Sequence, residues 1–258
     1  MEGFCSLGSG SKGNMTVLRG SKSIYLVDAG FSLKKTTELL AKIDIDLKNV
    51  QGILITHDHH DHIAGLEAIT NQYDIPIYAN CETAKVLHET LPKRPKFKIF
   101  ENGVSFHLDE FTVYPFSIPH DTVDPVAYTF SWKDKKLGIC TDIGFATPVA
   151  IRALKGCTHL LIEANHEVSL VHACNRPAVY KRRVLSKQGH LSNEESRSLI
   201  DALLHEDLEL IALAHLSQEC NAPEIALKAM SGITVPIHVL HQEGPNLFFS
   251  FNRDLNLN

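Results

Sequence analysis

The chain has 258 residues, 44% of them hydrophobic, with 25 basic against 30 acidic side chains and a formal net charge of −5. A chain of that length and composition can bury a sizeable core as one large domain or two small ones. No stretch approaches the ~20 apolar residues of a membrane span, and the acidic balance argues mildly against a general polyanion binder, although bound metal would cancel several carboxylates.

Met1-Glu2-Gly3-Phe4-Cys5 carries neither the basic nor the apolar region of a secretion signal. The six cysteines (5, 81, 140, 157, 174 and 220) are scattered, without a Cys-x-x-Cys pair. They are expected to be reduced, and the cytoplasm is the expected compartment.

Gly8-Ser9-Gly10-Ser11-Lys12-Gly13 matches the dinucleotide fingerprint in letters only. That motif follows a strand and opens a helix, whereas here a β-type run, Asn14 to Leu18, comes next. It is not a Walker loop either, because Asn14 follows Gly13. Two readings stay open. One is a turn with several positions of positive φ. The other is a backbone nest that accepts a phosphate and sets Ser9, Ser11 and Asn14 against substrate.

Ser23 to Gly30 reads as a strand that ends in an acid and a glycine, and Phe31 to Ile43 as a helix. Asp28 would end beside the next loop if its strand and the following one are neighbours; a plain helix cap or turn acid is the alternative. Gly52 to Ile55 is a short buried strand.

Thr56-His57-Asp58-His59-His60-Asp61-His62 then places four imidazoles and two carboxylates in seven residues, before a helical run from Ile63 to Ile69. Imidazole and carboxylate suit zinc, iron and manganese. His57 and His59, two apart on extended backbone, project to one side. Asp61 and His62 follow at the turn and can serve a second position, so one loop can feed two metals.

Ile75 to Ala79 is a strand and Cys81 to Glu89 a helix. Pro92 to Lys98 is a basic, proline-broken loop, and residues 104–117 alternate as a β-hairpin. His120 follows directly on Ile118-Pro119, and Pro125 to Phe130 is the next strand. A histidine just past a strand end is well placed for a third ligand.

Lys136 to Gly144 repeats the earlier pattern of an apolar strand that ends in Asp-x-Gly, here with Asp142. His159 to His166 is a buried strand running into Glu163-Ala164-Asn165-His166. Residues 176–188 form a helix bearing Lys181, Arg182 and Arg183. Gly189-His190-Leu191-Ser192 leads into a helix to His205, with Ser192 as N-cap and Glu195 as capping acid. Leu208 to Leu213 is a strand with His215 just beyond it; a helix from Pro223 to Met230 and strands at 235–240 and 247–251 complete the chain. Without a linker or repeat, residues 1–258 read as one α/β domain.

His57-x-His59-x-Asp61-His62 resembles the signature of the metallo-β-lactamase-fold hydrolases, whose αββα four-layer sandwich has two mixed β-sheets in pseudo-duplicated halves. That resemblance implies two divalent transition metals, zinc or manganese, or else iron. His57, His59 and His120 would hold one, Asp61, His62 and His215 the other, and Asp142 would bridge them. Asp28 would orient the loop without binding metal, and His60 has no ligand slot.

Ser6 to Asn14, Ile118 to Asp121, Glu163 to His166 and Gly189 to Asn193 are further similar to the YycJ (WalJ, VicX) group, regarded as DNA-directed nucleases. The transfer-RNA 3′-end-processing ribonucleases, relatives of that group, carry counterparts of Glu163-Ala164, His190-Leu191-Ser192 and Leu213 to Ser217 in the same order. Ala164 and Glu167 stand where the YycJ group has Ser and Asp, and Val126-Ala127-Tyr128 replaces its Gly-Tyr pair. None of these touches an expected ligand.

The resemblance implies a two-metal hydrolase of nucleic-acid phosphodiesters, a DNA exonuclease before a ribonuclease, acting by attack of a metal-activated water. Asp61, His190, Glu163 and Asp28 would be its catalytic group, with His190 as proton donor and Glu163 holding its ring. A helix-cap role for His190 is the alternative. Ser9, Ser11, Asn14, Lys181, Arg182 and Arg183 would meet the substrate. A small-molecule hydrolase of a thioester, lactone or cyclic phosphodiester is the second function, and oligomeric state is open.

Overall fold

The structure, a computed structural model, describes residues 2–93 and 95–252. Its strands in chain order are β1 (Gly3–Gly8), β2 (Met15–Arg19), β3 (Ile24–Val27), β4 (Gly52–Leu54), β5 (Ile77–Asn80), β6 (Phe97–Phe100) and β7 (Phe106–Leu108). They continue as β8 (Phe111–Ser117), β9 (Val126–Trp132), β10 (Lys135–Cys140), β11 (His159–Glu163), β12 (Leu210–Ala214), β13 (Ile237–Val239) and β14 (Phe249–Ser250). The helices are α1 (Leu33–Ala41), α2 (His60–Ile63), α3 (Leu66–Tyr73), α4 (Cys81–Thr90), α5 (Pro148–Leu154), α6 (Val168–Ala173), α7 (Ala178–Val184), α8 (Asn193–Asp201) and α9 (Pro223–Ala229). None is long and apolar enough to cross a membrane among the described residues.

Two compact units divide the chain: residues 1–101, 106–111 and 241–258 form one, and residues 102–105 and 112–240 the other. In the first, the strand order is β14-β1-β2-β3-β4-β5-β6. Neighbours from β14 to β3 are antiparallel and those from β3 to β6 parallel. Its core joins Leu26, Ile53 and Ile77 from the sheet to Leu39, Leu40, Ile69 and Leu87 from α1, α3 and α4. Side-chain caps start two of these helices: Ser32 accepts from Lys35 N and Asn80 from Thr83 N, each contributing about 1 kcal/mol.

The second unit repeats the plan. Its strands run β13-β12-β11-β10-β9-β8, antiparallel from β8 to β10 and parallel from β10 to β13. Leu160, Ile162, Ile211 and Leu213 from the parallel half pack with Leu154, Leu199 and Ile200 from the helices. Both sheets are therefore mixed. The strand preceding Asp28 and the one preceding Asp142 hold the same place, at the switch from antiparallel to parallel pairing.

Several boundaries differ from expectation. The helix expected from Ile63 begins at His60, inside the histidine cluster, and breaks at Ala64-Gly65 before α3. The helix expected to reach His205 ends at Asp201. The basic segment 176–188 yields only the seven-residue α7. Of the basic loop 92–98, Arg94 lies outside the described residues. The capping box at Ser192 and Glu195 is present, and all six cysteines are free thiols.

Candidate metal centre and its supporting residues

In the first unit the histidine loop is held to the end of β3 by Asp28. Its Oδ1 accepts from Thr56 N at 2.8 Å, and its Oδ2 lies 2.8 Å from His62 Nδ1. Thr56 Oγ1 lies 2.9 Å from Asp28 Oδ2 and 3.0 Å from His57 Nδ1. An ionised carboxylate only accepts, so Thr56 donates to Asp28 and His57 Nδ1–H donates to Thr56. Both His57 and His62 thus have Nδ1 committed to protein oxygen, which leaves Nε2 as the basic nitrogen of each ring. Metal-binding imidazoles are fixed in this way, with carboxylate behind them.

His57 and His59 project together, their ring centroids 4.8 Å apart, and the His57 and His62 rings lie 4.0 Å apart. His60 is exposed. Gly30 is required here, because a Cβ at that position would stand 1.8 Å from the carbonyl oxygen of Asp61.

The glycine loop supports the same histidine loop. Gly10 and Gly13 have positive φ, as the turn reading requires. Asn14 is buried; its side chain bonds back to Gly10, and its Nδ2 lies 3.1 Å from Asp61 Oδ2 and 3.0 Å from His62 Nε2. Ser9 is buried and Ser11 exposed.

In the second unit, the ligating atoms of Asp142, Glu163, His190 and His215 all lie within 4.8 Å of one another. These residues come from the ends of β10, β11 and β12 and from the turn before α8. Asp142 and His215 adopt left-handed backbone, φ 58° and 56°, as Asp28 does at 63°. Such conformations are uncommon outside glycine, though Asp and His tolerate them better than most. Turning each chain sharply at its strand end is how the sheet delivers these side chains.

Glu163 is fully buried. Its Oε2 accepts from Ile143 N at 3.0 Å and Leu191 N at 3.2 Å, while Oε1 lies 2.7 Å from His190 Nδ1 and 3.2 Å from His215 Nδ1. Burial pushes its carboxyl up, but the charge and hydrogen bonds of His190 and the hydrogen bond of His215 outweigh that and hold it at about 2. His120 Nδ1 donates to the carbonyl of Gly189 at 3.1 Å. His215 Nε2 lies 3.4 Å from Asp142 Oδ1, and His120 Nε2 lies 3.9 Å from the same oxygen. Three imidazoles thus have Nδ1 anchored and Nε2 directed elsewhere. Neutral imidazole and carboxylate form a donor set that fits divalent transition metals.

Asn165 and Asp121 lacked a separable sequence signal. Asn165 Nδ2 donates to the carbonyl of His215 at 2.8 Å. Asp121 pairs with the Arg183 guanidinium and lies 3.5 Å from His120 Nε2. Arg183 is therefore engaged within the protein, and Lys181 Nζ donates to the carbonyl of His172.

A model of the metallo-β-lactamase superfamily matches residues 8–215. The chain is 34% identical over 233 residues to the exodeoxyribonuclease YycJ of Bacillus anthracis, covering 89% of this chain and 88% of that protein. It is 36% identical over 231 residues to the exodeoxyribonuclease WalJ of Streptococcus pneumoniae, covering 88% and 86%. Among solved structures, the metallo-β-lactamase fold protein YhfI of Bacillus subtilis aligns with a TM-score of 0.76 at 15% identity, over 95% of this chain and 98% of its own. With these matches the fold and the donor set agree: the chain belongs to the metallo-β-lactamase superfamily of metal-dependent hydrolases and, within it, to the YycJ/WalJ group.

Proposed function

We propose that the protein cleaves phosphodiester bonds in nucleic acid, as a DNA exonuclease with two metals. His57, His59 and His120 would hold one ion, Asp61, His62 and His215 the other, and Asp142 both; zinc or manganese suits this set, with iron the third choice. Divalent ions there would acidify a water and withdraw charge from the attacked phosphoryl oxygen. His190, its Nδ1 fixed by Glu163, presents Nε2 to give a proton to the departing alkoxide. Asp28 and Asn14 hold the histidine loop, and Glu163 serves both His190 and His215.

The observation that carries the reading is the His190–Glu163 pair at 2.7 Å, beside Asp142 and His215. With Glu163 on its Nδ1, His190 is oriented to serve the departing alkoxide, a basic group that needs a proton; a further ligand role beside Asp142 and His215 is the alternative that the metal content of His190→Ala tests. The substrate class rests on the two relatives, both named exodeoxyribonucleases.

One observation favours a small phosphodiester, thioester or lactone instead. Arg183 is paired with the Asp121 carboxylate, so α7 offers nucleic acid less net charge than its sequence suggests, although Lys181 keeps its charge while donating to the carbonyl of His172. A single panel decides: labelled DNA, RNA, bis-p-nitrophenyl phosphate and a glutathione thioester, each with Mn²⁺ or Zn²⁺. Processive shortening of DNA supports the proposal; turnover of the thioester alone rejects it.

A further inference from the structure

A second candidate ligand site lies wholly within the unit of residues 102–105 and 112–240, on one face of β8, β9 and β10 beside α5. The cavity there has a volume of about 460 Å³, within the range of small-molecule sites, roughly 300–1,000 Å³. Strand register builds its floor. Ser131 pairs with Thr112 on one side and Lys136 on the other, so these three form one row. Thr129 likewise stands between Tyr114 and Gly138, where glycine adds no side chain. The alternate residues Val113, Phe130 and Leu137 are buried on the opposite face. From α5, Arg152 adds a second cation to the lining.

Among the described residues, no carboxylate lines this cavity. Hydroxyls both donate and accept, but ammonium and guanidinium groups only donate. The lining is therefore rich in donors and positive in charge, in a chain whose net charge is −5. Lys136 is held firmly, with Nζ donating to the carbonyls of Ala153 and Lys155 at 2.7 Å each, which leaves one of its three protons. The hydroxyls alone could serve a neutral sugar, which would leave both cations without a counter-charge. An oxyanion calls for what is present, and a guanidinium fork matches a phosphate in shape. Val149 and Ala153 supply an apolar margin for the rest of the ligand.

We propose that this cavity binds a phosphate group carried on a ligand of about mononucleotide size, without using any of the metal-ligand residues. Free nucleotide and the backbone of a single strand share that chemistry.

Isothermal titration of the metal-loaded protein separates them, using inorganic phosphate, dAMP and a phosphorothioate single strand that resists cleavage. Arg152→Glu reverses an exposed charge, and Thr129→Val replaces a hydroxyl at constant shape. Hydrogen bonds to charged groups of this kind support a loss of roughly tenfold or more in affinity for each variant, with metal content and hydrolysis of bis-p-nitrophenyl phosphate unchanged. Variant-sensitive binding of phosphate or dAMP assigns a nucleotide site; sensitivity confined to the single strand assigns a backbone contact. If no ligand binds, or if every ligand binds wild type and both variants alike, the proposal is overturned, whatever the catalytic assay shows.

Discussion

Glu163 Oε1 lies 2.7 Å from His190 Nδ1. The same oxygen lies 3.2 Å from Nδ1 of His215, so one buried carboxylate fixes a proposed proton donor and a proposed ligand together. Its partners hold it ionised against the pull of burial. The charge that steadies both imidazoles is thus present throughout the neutral range.

Glu163→Gln keeps the size of the side chain and removes that charge. Metal affinity is expected to fall about 10–100-fold, as when other supporting carboxylates are lost. Turnover should stay depressed even at saturating metal, because His190 loses its orientation. Metal titration followed by assay at saturation checks this; full recovery of turnover would confine Glu163 to the support of His215.

Asp61→Ala and His60→Ala separate adjacent positions of one loop. Asp61 accepts from Asn14 and is a proposed ligand, whereas His60 is exposed. Elemental analysis of wild type should find about two metals per chain. Asp61→Ala should lose one with nearly all activity, and His60→Ala should keep both. Equal losses in the two variants would contradict the ligand assignment.

Much of this was legible in the sequence because strand ends leave recognisable traces. Asp28 and Asp142 each follow an apolar strand and precede a glycine two residues on, and both end the corresponding strand of their sheets. The clustering of the His57, His59 and His62 rings, 4.8 Å and 4.0 Å between centroids, follows from the spacing of the loop. The capping box at Ser192 was readable because its two partners are three residues apart.

Contacts distant in sequence were not readable. Nothing near Arg183 announces that it pairs with Asp121, 62 positions away. Asn14, expected to meet substrate, also lies 3.1 Å from Asp61 Oδ2 and 3.0 Å from His62 Nε2, partners 47 and 48 residues along that no local motif announces. The start of α2 at His60 was obscured because ligand chemistry and helix propensity make different demands on the same residues.

Arg182 and Arg183 should behave differently although they are neighbours. Arg183→Ala breaks the pair with Asp121 beside His120, so turnover of small and large substrates should fall together. Arg182→Ala should leave small-substrate turnover intact and reduce the salt slope of DNA binding by about one counterion. Binding isotherms from 50 to 200 mM salt check this, and identical behaviour of the two variants would count against it.

His159 gives stability a pH dependence. Burial pushes its imidazole down to about 4, with Glu209 opposing and Lys135 assisting. The unfolded chain takes up this proton near 6.5 and the folded protein only near 4, so stability is full above 6.5 and is lost as pH falls toward 4. Between pH 7 and pH 5 the loss from this group is about 2 kcal/mol. Urea denaturation of wild type and His159→Gln at both values should differ by that amount; parallel losses would remove His159 as the cause.

The most direct test of the account is the leaving-group dependence of His190→Ala. If His190 gives its proton to a departing alkoxide, the variant should retain both metals and bind substrate, yet cleave DNA roughly 10²–10⁴-fold more slowly. On bis-p-nitrophenyl phosphate, whose leaving group needs little protonation, the loss should shrink to within about tenfold. A loss of metal in His190→Ala, or equal impairment on the two substrates, would contradict the account and make His190 a ligand or a support of the fold.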